Sequence, residues 1–123
     1  MAEAAVAAHG RGLRGEEAAA RWLAGQGYAI LARNFRCRAG EIDIVAEREG
    51  RVAFVEVKAW RGMGKADLEY AIGPQKRRRL VMAARHFLAR RPDLVGHPLR
   101  FDVLLLSRGR IEHLENAFGG SVD

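Results

Sequence analysis

Residues 52–59 read Val-Ala-Phe-Val-Glu-Val-Lys-Ala, and no other stretch limits the fold as tightly. Side chains alternate across a strand. Val52, Phe54, Glu56 and Lys58 therefore share one face, and Ala53, Val55, Val57 and Ala59 share the other. Both faces stay apolar through Val55, the pattern of a central strand covered on both sides. Such a strand needs partners in a sheet and a layer on each face. Gly40–Ala46 (Gly-Glu-Ile-Asp-Ile-Val-Ala) supplies a neighbour through a turn at Glu49-Gly50. Alternation there places Glu41, Asp43 and Val45 on one face, with Ile42, Ile44 and Ala46 opposite. In a hairpin of that register Asp43 comes beside Glu56.

A buried carboxylate without a partner costs several kcal/mol, so such groups are normally paired or bound to metal. Two acidic oxygen donors suit Mg²⁺ or Mn²⁺, and Mg²⁺ keeps several of its own waters. Such an ion polarises a phosphoryl oxygen and lowers the pKa of bound water. A nearby lysine can orient that water or stabilise developing charge. The spacing Asp43-x(12)-Glu56-x-Lys58 thus suits metal-assisted phosphodiester hydrolysis. It also suits a structural Glu56–Lys58 contact with Asp43 in a solvated turn, because ion-pair networks leave the same trace.

The remaining pattern is helix, three strands, helix, strand, strand: an α/β chain with a small mixed sheet flanked by helices. Leu13–Gln26 is expected to be helical, stopping at Gly27. Glu16 shares a face with Ala19, Ala20 and Leu23. Packed on the sheet, it would reach the region of Asp43 and Glu56; alternatively it serves the helix dipole alone. Tyr28–Phe35 reads as a first strand and Arg36–Ala39 as a basic turn. Trp60–Gly73 reads as a loop. Pro74 opens a second helix that ends near Arg90, before Pro92. Leu99–Ser107 and Ile111–Glu115 complete the strands, with Asp102 either structural or supporting the site. A lead over 1–11 and a tail over 119–123 are expected to be flexible around a single domain at 12–118.

The 123 residues carry a formal net charge of +6, unevenly spread. Lys76, Arg77, Arg78, Arg79, Arg85, Arg90 and Arg91 fall between Pro74 and Arg91 with no acidic residue among them. Arg33, Arg36 and Arg38 form a second cluster. Clusters of this kind attract a phosphate backbone, although a solvated basic helix gives the same sequence. Gln75 and Lys76 sit at a helix N-terminus, where amides and dipole favour an anion. One cysteine, Cys37, excludes an internal disulfide and a cysteine-based zinc site, and fits a reducing cytoplasm. His9, His86, His97 and His113 are scattered and form no paired metal motif.

Five segments in order carry a resemblance: Gly15-Glu16-x-x-Ala19, Gly27-Tyr28-x-Ile30-Leu31-x-Arg33-Asn34, Gly40-Glu41-Ile42-Asp43-Ile44-Val45, Phe54-Val55-Glu56-Val57-Lys58 and Glu115-Asn116-Ala117-Phe118. Together they resemble the UPF0102, or YraN-like, family of small bacterial proteins similar to archaeal Holliday-junction resolvases. The resemblance spans about Gly12 to Phe118 and implies a restriction-endonuclease-like fold with a PD-(D/E)xK nuclease core. It implies that Asp43 and Glu56 bind metal, joined by the Val57 carbonyl. Lys58 would be the catalytic lysine and Glu16 the acid of the first helix. Gln75 and Lys76 fall at a helix start where related nucleases carry an extra polar residue. The chain departs after Lys58, where Ala59-Trp60-Arg61 replaces an expected Thr-Arg-like continuation.

The expected function is therefore metal-dependent DNA endonuclease activity, on branched or otherwise structured DNA. Arg33, Arg36, Arg38, Arg61, Gln75, Lys76, Arg77, Arg78 and Arg79 would contact the nucleic acid. A four-way junction would call for two active sites and hence a homodimer. The alternative is a non-catalytic nucleic-acid-binding or partner-docking protein on the same scaffold.

Overall fold

The computed structural model describes residues 11–59 and 72–119. The lead at 1–10, the tail beyond Gly119, and Arg61 with nearly all of the expected loop lie outside the described residues. Helix α1 (Arg11–Gly25) is followed by strands β1 (Ala29–Cys37), β2 (Gly40–Arg48) and β3 (Arg51–Ala59). Helix α2 (Pro74–Ala89), a 3₁₀ turn at Pro92–Leu94, and strands β4 (Leu99–Ser107) and β5 (Arg110–Phe118) complete the order. The five strands lie in sequence order. Among the described strands only the β3–β4 pair is parallel, joined by the crossover through α2. The fold is α/β and restriction-endonuclease-like: a mixed sheet on each face of which, among the described residues, one helix packs.

α1 ends by a Schellman motif. Gly27 takes φ +93, and the Tyr28 and Gly27 amides donate back to the Leu23 and Ala24 carbonyls at 3.0 and 3.1 Å. Its Ala19, Ala20 and Leu23 bury against Ile44, Ala46, Ala53, Val55 and Leu104 on one face of the sheet. The other face packs Leu80, Ala83, Ala84 and Phe87 of α2 on Val45, Val52, Phe54, Phe101 and Val103. Phe54 centres an aromatic run there, 5.5 Å from Phe101 and 6.1 Å from Phe87, with Phe101 stacked on Phe118 at 5.1 Å. β3 contributes Phe54 to one cluster and Val55 to the other, as its two apolar faces require.

Three expectations are corrected. β1 runs on through Arg36 and Cys37, so the turn shrinks to Arg38-Ala39. β5 continues to Phe118, past the expected end at Glu115. Simple alternation also fails in β2: Ile42 packs on the α2 side, whereas Ile44 and Ala46 pack on the α1 side. The cause is local. Asn34, with φ +54, falls between the paired residues Arg33↔Ile44 and Phe35↔Ile42, and so lies across from Asp43. A left-handed residue inside a strand turns the local backbone, and it turns β2 with it.

The last segment is held by a fully buried acid. Asp102 accepts hydrogen bonds from Arg100 Nε (3.0 Å) and the Asn116 amide (2.9 Å), and pairs with His113 Nε2 at 2.7 Å. Arg100 also bonds the Tyr28 hydroxyl and lies 3.6 Å from Glu115. Burial works against the Arg100 charge, but Asp102, with Tyr28 and Glu115, outweighs it, so the guanidinium pKa is raised. This network clasps β5 to β4 beside the register shift between Phe101 and Val103. Asp102 is thus structural, and Asn116 (φ +53) is the residue whose bend delivers its amide to the clasp.

Candidate active site

β2 and β3 pair from Arg48↔Arg51 up to Ile44↔Val55, the register expected from the turn at Glu49-Gly50. Past that pair the turned backbone brings the Asp43 side chain inward, and its Oδ2 accepts the Val57 amide at 2.8 Å. A carboxylate thus takes a donor that a continued ladder would have engaged. The next residues of β3, Glu56, Val57, Lys58 and Ala59, line a cleft of about 300 Å³ together with Asp43, Gly15, Glu16, Lys76 and Leu106. The cleft lies at the C-terminal ends of the parallel strands, where open α/β sheets commonly bind ligands.

Three carboxylates meet there with very little exposure: Glu16 at 8%, Asp43 at 9% and Glu56 at 6%. Asp43 stands between the other two and feels both. Burial raises its pKa to about 6; the Val57 amide pulls against this, and the Glu16 charge adds to it. Burial also raises Glu56 to about 7, the Asp43 charge adding and Lys76 opposing. Lys76 Nζ lies 2.5 Å from Glu56 Oε2. Glu16 Oε1 is buried with no hydrogen-bond partner.

This donor set fits a hard divalent cation, because it supplies oxygen ligands, excess negative charge and an unsatisfied buried oxygen. Among the described residues no group of three or more Asp, Glu, His or Cys side chains is arranged to hold a metal ion. The available set is open: Asp43, Glu56 and a backbone carbonyl such as that of Val57, leaving room for the waters that Mg²⁺ retains.

The structure brings Glu16, Asp43, Glu56, Val57, Lys58 and Lys76 to one cleft. It separates the other candidates for nucleic-acid contact by role. Arg33, Arg36, Arg38, Gln75, Arg78 and Arg79 are exposed, and Arg36 pairs with Glu41 at 3.0 Å. Arg77 turns inward: its Nε donates to the Ile72 carbonyl at 2.8 Å, and its guanidinium covers the Phe118 ring at 5.3 Å. The two basic clusters of the sequence adjoin, since a Cβ added at Gly40 would stand 3.3 Å from Arg79 Cβ. The Lys76–Glu56 pair went unread in the sequence. Its one signal was a lysine in the first turn of a helix, where the dipole disfavours a cation unless an anion holds it.

The model of the uncharacterised protein family UPF0102 matches residues 15–106. The chain belongs to the UPF0102 family. A UPF0102 protein of Rhodopseudomonas palustris (strain ATCC BAA-98 / CGA009) is 47% identical over 116 residues, covering 94% of this chain and 88% of that protein. One from Azorhizobium caulinodans is 46% identical, covering 91% and 85%. One from Treponema pallidum (strain Nichols) is 42% identical, covering 87% and 90%. The UPF0102 match starts at Gly15 and ends at Leu106, so both the first and the last of the cleft-lining residues fall within it.

Proposed function

We propose that this UPF0102 chain is a cytoplasmic metal-dependent endonuclease that hydrolyses DNA phosphodiester bonds, with branched or structured DNA as the substrate class. One observation carries the reading. Asp43 of β2 and Glu56 near the C-terminal end of β3 are buried together, raised to about 6 and 7, with Lys58 in the same cleft. A purely structural role gains little from converging buried carboxylates, whose mutual repulsion destabilises the fold.

Asp43, Glu56 and the Val57 carbonyl would hold Mg²⁺ or Mn²⁺, which when bound supplies a Lewis acid at phosphorus and a more acidic water. The chain's own residues do the rest. Lys58 offers its ammonium to a non-bridging phosphoryl oxygen and to the attacking water. Glu16 Oε1, unpartnered in the fold, accepts a hydrogen bond from a water in the cleft. The water oxygen bonds to phosphorus and gives up a proton to solvent, the P–O bond to the leaving strand breaks, and solvent returns a proton to the departing oxygen. Exposed Arg33, Arg38, Arg78 and Arg79 hold the backbone on either side of the β1–β2 turn. A four-way junction engages two such sites, hence a homodimer.

The test is cleavage of duplex, single strand, flap and four-way junction with Mg²⁺ and then Mn²⁺, wild type beside Glu56→Ala. Cleavage by wild type alone is expected. Equal cutting by both proteins would remove Glu56 from the mechanism. No cutting by either, with salt-sensitive binding retained, would favour the non-catalytic docking role.

A further inference from the structure

The cleft contains two lysines that are built differently. Lys58 belongs to β3, paired on one side with β4. Lys76 comes from the first turn of α2, whose backbone is fixed by Pro74, by the fully buried Ile72 and by the Arg77–Ile72 bond. The Lys76 side chain is nonetheless 40% exposed, whereas the Glu56 side chain it meets is 8% exposed. One end of this ion pair is therefore confined and the other is a flexible four-carbon stem reaching in from solvent.

The contact also competes with a cation for one of the two Glu56 oxygens. At 2.5 Å the ammonium occupies Glu56 Oε2, and a divalent cation on that oxygen would face a like charge at contact distance. The α2 N-terminus that carries Lys76 has no side-chain cap and no acidic residue in its first turn. An ammonium displaced from Glu56 thus stays beside backbone amides that no described side chain caps, a setting suited to a phosphate.

We infer that Lys76 is the resident counter-ion of Glu56, that an incoming divalent cation must displace it, and that the displaced ammonium takes a phosphate oxygen of the nucleic acid. This rests on the metal-nuclease reading above and assigns Lys76 a positioning role within it. Its thermodynamic consequence is coupling. Phosphate that draws Lys76 away frees Glu56 for the cation, and a cation on Glu56 frees Lys76 for phosphate; the two enhancements must be equal.

The test measures binding, not turnover. Mn²⁺ affinity is read by titration calorimetry on the full chain without DNA, for wild type, Lys76→Met, Lys76→Arg and Arg110→Met. Lys76→Met is expected to bind Mn²⁺ roughly fivefold more tightly or better. Lys76→Arg, which keeps the pair, and Arg110→Met, which removes an exposed charge opposite Ser107 at the same end of the sheet, are expected to stay near wild type. If Lys76→Met does not fold, Lys76→Gln carries the same expectation. Duplex affinity is then measured with and without Ca²⁺; the enhancement by Ca²⁺ should be larger in wild type than in the uncharged variant. Wild type and Lys76→Met binding Mn²⁺ equally would overturn the displacement while leaving the metal reading intact. Absence of Mn²⁺ binding in every protein would overturn both.

Discussion

Asp43 and Glu56 each sit where their charge is least welcome, and the consequence is a stability that depends on pH. Both carboxyls are raised, from 3.8 to about 6 and from 4.5 to about 7. Between the ordinary carboxylate range and those values the folded state binds more protons than the unfolded chain. The stability these groups contribute is present at low pH and is lost as pH rises from about 4 to about 7. Asp43→Asn removes the charge but keeps an oxygen for the Val57 amide. In chelator it should match wild type near pH 4 and exceed it by about 2 kcal/mol at pH 8, a gain in Tm of about 5 °C or more. Thermal melts of both proteins at the two pH values check this. A Tm difference that does not change with pH would mean that Asp43 is not held protonated by its surroundings. The Asp43→Asn variant should lose cleavage, since a neutral amide oxygen holds a divalent cation more weakly than a charged carboxylate.

At the scale of elements, α1 sets where Glu16 stands, and Gly15 sets where α1 stands. A Cβ at Gly15 would lie 3.1 Å from Leu106 Cδ1 and 4.0 Å from Val57 Cγ1, so the helix rides close over β3 and β4 beside the cleft. A glycine inside a helix costs about 1 kcal/mol against alanine, and this close approach is what it allows. Gly15→Val should lift the first turns of α1, withdraw Glu16 and lower kcat on the order of 100-fold, as a displacement of about 1 Å does. DNA affinity should hold. Gly15→Ala, which meets only the end of the Leu106 side chain, should lose much less. Equal kcat for wild type and Gly15→Val would show that α1 does not position the site. Most of these elements were legible in the sequence, because periodicity marks what is buried: Leu80, Ala83, Ala84 and Phe87 mark α2, and the two apolar faces of β3 mark a central strand. Glu16 was legible for the same reason, standing in line with Ala19, Ala20 and Leu23. The turn of β2 was not, because it depends on a positive φ at Asn34 in the neighbouring strand. Nor was the Glu56–Lys76 pair, which joins a strand to a helix across 20 positions of chain through a crossover. The basic residues misled in one respect: Arg77 stands among Arg78 and Arg79 yet faces inward on Phe118.

That division among the arginines decides how the whole molecule should meet a nucleic acid. A net charge of +6 favours any polyanion, but only cations that reach phosphate release counterions, and each such contact contributes about −0.9 to the slope of log affinity against log salt. Arg38 and Arg79 are exposed, and Gly40, two residues past Arg38, packs against Arg79, so the start of β2 and α2 bring the two basic clusters to one side of the molecule. Arg38→Ala and Arg79→Ala should each reduce the slope by about 1, and the double variant by about 2. Arg77→Ala should leave the slope as it is and lower Tm instead, because its lost partners are a carbonyl and an aromatic ring within the fold. Arg36 should fall between these, its charge already shared with Glu41. Duplex binding by fluorescence anisotropy from 50 to about 200 mM salt separates these cases within one range of measurement. A slope that responds to Arg77 and not to Arg38 or Arg79 would place the phosphate backbone on another face, away from the β1–β2 turn. The nuclease reading would then lose the β1–β2 turn as its means of holding a substrate.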